Sequence, residues 1–283
     1  MNIKAAVAQI DAKVGNLHAN LAHHLKVIAS AREQGAQLVV FPELSLTGYS
    51  LKDLAWEVAL DPSTSNVFAE LKSVSKKISL AVGFVEAGSN HGIYNSAAFL
   101  EDGEIKHIHR KVYPPTYGMF EEGRYFSAGN SVRAFDSKYG RFGMVICEDL
   151  WHMALPYLLA SDGAEALFAL TASPTRMSGT DGVLDNKIVN TEHHRAYARL
   201  LSIYLLFANR VGFEDGVNFW GGSSITAPNG QETVEAKLWD EDLVFGMLDS
   251  TELQRARRQS RHFIDERTEI VLRELSALQH LKQ

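Results

Sequence analysis

Several things are scarce in this sequence, and each scarcity removes a class of explanation. Its 283 residues contain one cysteine, Cys147. One thiol cannot close an internal disulfide, and without a Cys pair the zinc-finger spacings are excluded as well. Positive charge is not in excess: 28 Lys and Arg against 34 Asp and Glu leave a net charge of −6, whereas a nucleic-acid binder normally presents a basic face. Apolar runs long enough for a membrane span, about 20 residues, are missing. Proline is sparse at 7 residues, and no Pro/Ser-rich linker, charge block or internal repeat divides the chain. Residues 1–10 read as a strand rather than a basic stretch followed by an apolar one, so no signal peptide is expected and a cytoplasmic location is.

What is present suits one large globular domain. A hydrophobic content of 46% with 22% charged residues can bury a substantial core, and a single domain over 1–283 with a helical tail from about 251 is expected. Ile3 to Ala8 reads as a buried strand. Leu17, Leu21, Leu25 and Ile28 follow at helical spacing, with Asn16 as N-cap and Gly35 as terminator. Strands are predicted near 37–41, 79–85, 95–100, 105–109, 142–146, 166–170 and 204–209, and Asp102-Gly103 marks a hairpin. Helices are predicted from about His152 and around 192–203. The tail from Thr251 to Leu281 is amphipathic, and Arg255, Arg257, Arg258 and Arg261 in it read as a solvated helix face. Strands alternating with helices, with hairpins interposed, give a mixed α/β fold with layered sheets.

Three chemically able residues stand where predicted strands run out: Glu43, Lys111 and Cys147. Strand ends in α/β folds are where reactive groups gather, because the sheet fixes them and the loops leave room for substrate. Attack on a carboxamide or nitrile carbon needs a strong nucleophile, which a thiolate supplies when a base or cation favours it. A carboxylate such as Glu43 can take the thiol proton, return it to the departing amine and later activate water. An ammonium such as Lys111, with the amide after Cys147, can stabilise an oxyanion, a role for which one donor is worth about 2.7–4 kcal/mol. Glu122 can orient Lys111 and keep it charged. Each has a plainer reading: a free cysteine is more often inert core, Lys111 beside Arg110 surface charge, and Glu121-Glu122 a solvated pair. His107, His109, His193 and His194 lack a third ligand in view and read as core or surface histidines, so no metal is expected. The run Phe213 to Trp220, with two acids and a Gly, reads as a turn near the pocket.

The segments Phe41-Pro42-Glu43-Leu44-Ser45-Leu46-Thr47-Gly48-Tyr49, Arg110-Lys111-Val112-Tyr113 and Val145-Ile146-Cys147-Glu148-Asp149-Leu150-Trp151 resemble, in order, the signature blocks of the nitrilase superfamily that hold its Glu, Lys and Cys. Gly222 to Gly230 resembles a late strand-and-turn element of the same superfamily. The resemblance implies a four-layer α-β-β-α sandwich, hydrolysis of a small carboxamide through a thioester without cofactor or metal, and a homodimer or larger assembly. Within the superfamily, Tyr113 to Phe126 and Cys147 to Trp151 are similar to the glutaminase domain of glutamine-dependent NAD synthetase. That likeness makes Glu122 an additional active-site acid and sets Tyr49, Tyr117, Glu148 and Ser173 as substrate-binding residues. The stretch Thr175 to Asn190 departs from that domain, with Arg176 as the candidate for its substrate-binding Arg. No Ser-Gly-Gly-x-Asp-Ser loop for ATP pyrophosphate occurs, so this chain alone is not expected to make NAD. A glutamine-like ω-amide is the favoured substrate. The rival readings are an ammonia-supplying subunit for a separate synthetase, an idle scaffold, and a nitrilase or N-carbamoyl hydrolase.

Overall fold

The computed structural model describes residues 1–89, 91–175, 177–178 and 183–280. Two six-stranded sheets form the centre. The first runs, edge to edge, Asp242–Asp249, Asn2–Gln9, Leu38–Val40, Ser79–Ala87, Ile93–Glu101 and Glu104–Arg110. The second runs Glu232–Glu235, Ser224–Thr226, Tyr204–Asn209, Ala166–Thr171, Gly140–Ile146 and Phe135–Ser137.

Alternation along the strands explains the layering. On the first sheet Val7, Leu38, Val40 and Phe99 face the second sheet's Phe142, Phe168, Ile146 and Leu206, forming the core between sheets. Their neighbours Ala6, Val39, Val82 and Leu80 point the other way, onto Leu21 and Ile28 of helix Leu17–Glu33 and Phe68 and Leu71 of helix Asn66–Ser75. Val145, Leu167 and Leu205 on the second sheet pack against Leu155 and Leu159 of helix Ala154–Ser161. Strands apolar on both faces are what a sheet covered on both sides requires. The protein is a four-layer α-β-β-α sandwich.

Local chemistry sets the boundaries. Asn16 caps the first helix by accepting from the Ala19 amide at 3.0 Å, and Gly35 leaves it at φ +80°. Asp102 and Gly103, at φ +53° and +86°, make the tight turn their sequence predicts. Helix Asn66–Ser75, not anticipated above, is capped by Ser65, whose hydroxyl accepts from Val67. Helix Asp185–Leu201 starts well before the predicted 192 because its first half is too polar to show an apolar stripe. It stops at Ser202, which is left-handed at φ +50°. The tail is not one helix: Ser250–Gln259 and Thr268–His280 are separated by a turn-rich break. Arg257 also departs from the predicted solvated face, folding inward towards the carbonyls of Ser202 and Ala164.

Gly83 has a steric reason to be glycine. A Cβ there would lie 2.4 Å from the Leu44 nitrogen and 2.5 Å from the Pro42 carbonyl oxygen, so its strand supports the Pro42-Glu43-Leu44 backbone at a distance no side chain permits. Gly83→Ala is therefore expected to cost about 1–3 kcal/mol in urea unfolding and to displace Glu43. A variant with unchanged midpoint and unchanged turnover would show that the loop relaxes freely.

Candidate active site

The two sheets contribute different halves of one cluster. Glu43 and Lys111 follow first-sheet strands Leu38–Val40 and Glu104–Arg110, and Asn95 lies on Ile93–Glu101. Cys147 follows Gly140–Ile146, and Ala172 and Ser173 follow the parallel Ala166–Thr171, both on the second sheet. The parallel strands end on the same side, so these side chains converge at one rim.

Lys111 is 1% exposed. Its Nζ donates to Glu43 Oε1 at 2.7 Å and to Glu122 Oε1 at 2.7 Å. Glu43 also accepts from Asn95 Nδ2 at 2.7 Å and, through Oε2, from the Ala172 amide at 2.8 Å. Glu122 accepts in addition from the Tyr49 hydroxyl at 2.6 Å and from Asn95 Nδ2 at 3.4 Å. Asn95 thus touches both acids, and its carbonyl accepts the Lys111 amide at 2.8 Å. An ammonium carries three hydrogens; two are committed to the carboxylates, and the third is available for an incoming oxygen.

Electrostatics follow from this burial. Removal from water would lower Lys111, but Glu122 and Glu43 together hold it well above the ordinary lysine range. Burial raises the Glu122 carboxyl against the pull of Lys111. The Cys147 thiol is pushed well above its usual value, by burial first and by Glu43 next, with Lys111 opposing. The Ala172 amide that donates to Glu43 Oε2 follows the strand paired with the one leading into Cys147, which brings this carboxylate to the cysteine's side of the cluster. Burial and Glu43 therefore both favour the thiol over the thiolate.

Two left-handed non-glycine residues lie here. Cys147 opens a 3-10 turn, Cys147–Trp151, at φ +47°, and Leu44, next to Glu43, is at φ +49°. Non-glycine residues held this way cost of order 1–3 kcal/mol each and persist only where their surroundings dictate the conformation. For the cysteine turn that surrounding group is Asp149, which is fully buried. It accepts from the amides of Val112 at 2.9 Å, Tyr113 at 3.1 Å and Ile146 at 3.1 Å, and from His109 Nε2 at 2.8 Å. One carboxylate ties the chain before Cys147 to the chain after Lys111, across the two sheets.

The predicted substrate-binding residues are not equally placed. Tyr49 reaches Glu122, as above, and its ring meets Phe219 edge-on with centroids 5.8 Å apart. Tyr117 is exposed and donates to Glu148 Oε2 at 2.9 Å, beside Cys147. Ser173 is buried and its hydroxyl accepts from Trp220 Nε1 at 3.1 Å. Arg176 lies outside the described residues. The run Phe213 to Trp220 is a full hairpin, Val211–Glu214 with Val217–Trp220, turning at Asp215-Gly216. Among the described residues no group of three or more His, Cys, Asp or Glu is arranged to hold a metal; His109 is engaged by Asp149, and His194 packs on Phe207. Asn95, Glu214 and the part played by Asp149 escape sequence reading; the polar pair Asn95-Ser96 inside an otherwise apolar strand was the available signal for Asn95.

Comparison with known proteins gives this arrangement its family. The profile described as carbon-nitrogen hydrolase matches residues 4–258. The chain belongs to the carbon-nitrogen hydrolase family. This hydrolase is 31% identical over 253 residues to the glutamine-dependent NAD(+) synthetase of Acinetobacter baylyi, covering 88% of the chain and 44% of that protein. It is 30% identical over 282 residues to the citrullinase of Francisella tularensis, covering 95% and 96% of the two. The structure of the NAD+ synthetase from Acinetobacter baumannii superposes with a TM-score of 0.78 at 28% identity, over 89% of the chain and 47% of that one. The chain thus spans less than half the length of the NAD synthetases it matches. As a member of this family it is an enzyme that acts on non-peptide carbon–nitrogen bonds.

Asp149→Asn should be costly, because an amide NH₂ would confront donors that a carboxylate accepts. Leaving a buried donor unpaired typically costs about 1–3 kcal/mol. A matching fall in urea stability, with reduced turnover in whatever folds, is expected; unchanged stability would remove Asp149 from this supporting role.

Proposed function

We propose that the protein hydrolyses the terminal amide of a small polar molecule, glutamine-like in form, to a carboxylate and ammonia through a thioester on Cys147. The observation that supports this most is the buried Glu43–Lys111–Glu122 ion cluster, with Glu43 also held by the Ala172 amide on the strand beside the one leading into Cys147. Cys147 sulfur attacks the amide carbon while its proton passes to Glu43. The oxygen, gaining negative charge, takes the third Lys111 hydrogen and the Glu148 amide. Collapse breaks the C–N bond as Glu43 returns the proton to nitrogen, and ammonia leaves. Water then attacks the thioester, giving its proton to Glu43; the C–S bond breaks, the thiol regains the proton and the acid departs. Glu122 keeps Lys111 charged and aimed throughout.

A slow substrate or an amide-mimicking electrophile should add once to Cys147 by intact mass, and Cys147→Ala should show no adduct. Glu43→Gln and Lys111→Met should lose turnover by about 10²-fold or more with unchanged circular dichroism, the scale of general acid–base and oxyanion contributions. Near-normal kcat in either variant would reassign that residue, and turnover by Cys147→Ala would end the thioester scheme.

One observation favours a second substrate reading. The citrullinase likeness extends over nearly all of both chains, and a ureido carbon can be attacked by the same steps, the carbamoyl thioester then yielding CO₂. Ammonia and CO₂ release from glutamine, citrulline, simple aliphatic amides and nitriles separate the alternatives. An ω-amide is expected to lead; citrulline leading with CO₂ evolution selects the ureido reading, and a preference for nitriles or aliphatic amides rejects both.

A further inference from the structure

Beside Glu122 and Tyr49 a cavity opens outward between three segments: 49–52, 119–126 and the tip of hairpin 211–220. Its inner wall is shared with the Lys111 cluster. Its walls include Met119, Phe120 and Val217, and at its edge Lys52 Nζ meets Asp215 Oδ2 at 2.6 Å.

The two charges sit on segments fixed to each other from within. Glu214, buried, accepts from the Tyr49 amide at 2.9 Å and the Ser50 amide at 2.8 Å. It is ion-paired to Arg210, which is also buried and reaches Asp11 at 3.2 Å. Glu214 therefore fastens the loop carrying Lys52 to the hairpin carrying Asp215. Lys52 is held at φ +53°, and Asp215 at φ +48° in a two-residue turn. The pair itself is well exposed, at 58% and 60%, and an exposed ion pair contributes little to stability. A rigid frame thus holds two opposite, water-accessible charges at the mouth of a cavity whose inner wall adjoins the proposed amide site.

We infer that Lys52 and Asp215 form a subsite for the zwitterionic head of an α-amino acid, Lys52 taking the α-carboxylate and Asp215 the α-ammonium, with the ω-amide directed inward past Tyr49. This deepens the proposed function and rests on it. The head group replaces the Lys52–Asp215 contact with two charge-assisted ones, so little electrostatic energy is lost on opening the pair, and a neutral amide gains nothing by doing so. The subsite thereby selects against simple amides without touching the chemistry.

The test compares L-glutamine with its des-amino analogue glutaramate and its des-carboxyl analogue 4-aminobutyramide, in wild type, Lys52→Met and Asp215→Asn. Both positions are exposed, so the variants keep the fold, which circular dichroism verifies. Lys52→Met should raise KM for glutamine and glutaramate about 10-fold more than for 4-aminobutyramide, a factor of ten being about 1.4 kcal/mol. Asp215→Asn should do the same for glutamine and 4-aminobutyramide relative to glutaramate. Uniform effects across the three compounds, or none, overturn the subsite while leaving the thioester chemistry standing. A wild type that releases no ammonia from any of them overturns the subsite and the ω-amide reading together.

Discussion

A single buried ammonium organises the reactive end of this protein. Lys111 could not remain charged away from water without Glu43 and Glu122, since an isolated ion in such a place would sooner lose its proton. The carboxylates are equally dependent on Lys111 and on the donors Asn95, Tyr49 and the Ala172 amide. The three form a mutually supporting unit, and truncating one strands the others. Such a unit gives little net stability compared with an apolar replacement; what it supplies is a fixed orientation for one remaining N–H and for one carboxylate oxygen.

That fixed orientation suits the state of the sulfur. Burial and then the nearby Glu43 hold the Cys147 sulfur towards its thiol form, with Lys111 opposing. A permanently ionised cysteine would react with any electrophile that entered; a thiol becomes nucleophilic only when its proton has somewhere to go and the developing oxyanion has a cation to meet. In the proposed scheme Glu43 and Lys111 meet those two needs, which makes reactivity conditional on a correctly seated carbonyl. The left-handed backbone at Cys147 and Leu44 is held in place by the same surroundings that create this condition.

Much of this was legible in the residues, and the reason for the rest is physical. Alternating apolar strands announced two covered sheets, and the strand ends announced Glu43, Lys111 and Cys147, because a strand's direction is a local property. Asp149, Asn95 and Glu214 were not legible as organisers, since each has partners far along the chain, at separations of 36–40, 27–52 and 164–165 residues, that are met only when loops from different layers close together. Helix Asp185–Leu201 was shortened in the reading for the same kind of reason: its polar first half is helical by context rather than by its own pattern. The tail read as one amphipathic helix because periodicity carries across the largely exposed turn at 260–267.

The division of the cluster between sheets has a mechanical corollary. Glu43, Asn95 and Lys111 ride on one sheet, Cys147 and Ala172 on the other, and between them lies a layer of side chains in which the rings of Phe99, Phe142 and Phe168 meet with centroids 5.0–6.1 Å apart. Those rings act as spacers, and packed sheets stand about 10 Å apart because side chains of this size fill the gap. In the proposed scheme the span from Glu43 to Cys147 is therefore gauged by the thickness of a hydrophobic layer against which Cys147 itself packs. Repacking that layer with smaller or larger residues would retune the reaction geometry from inside the fold, so that turnover becomes a caliper for the interior.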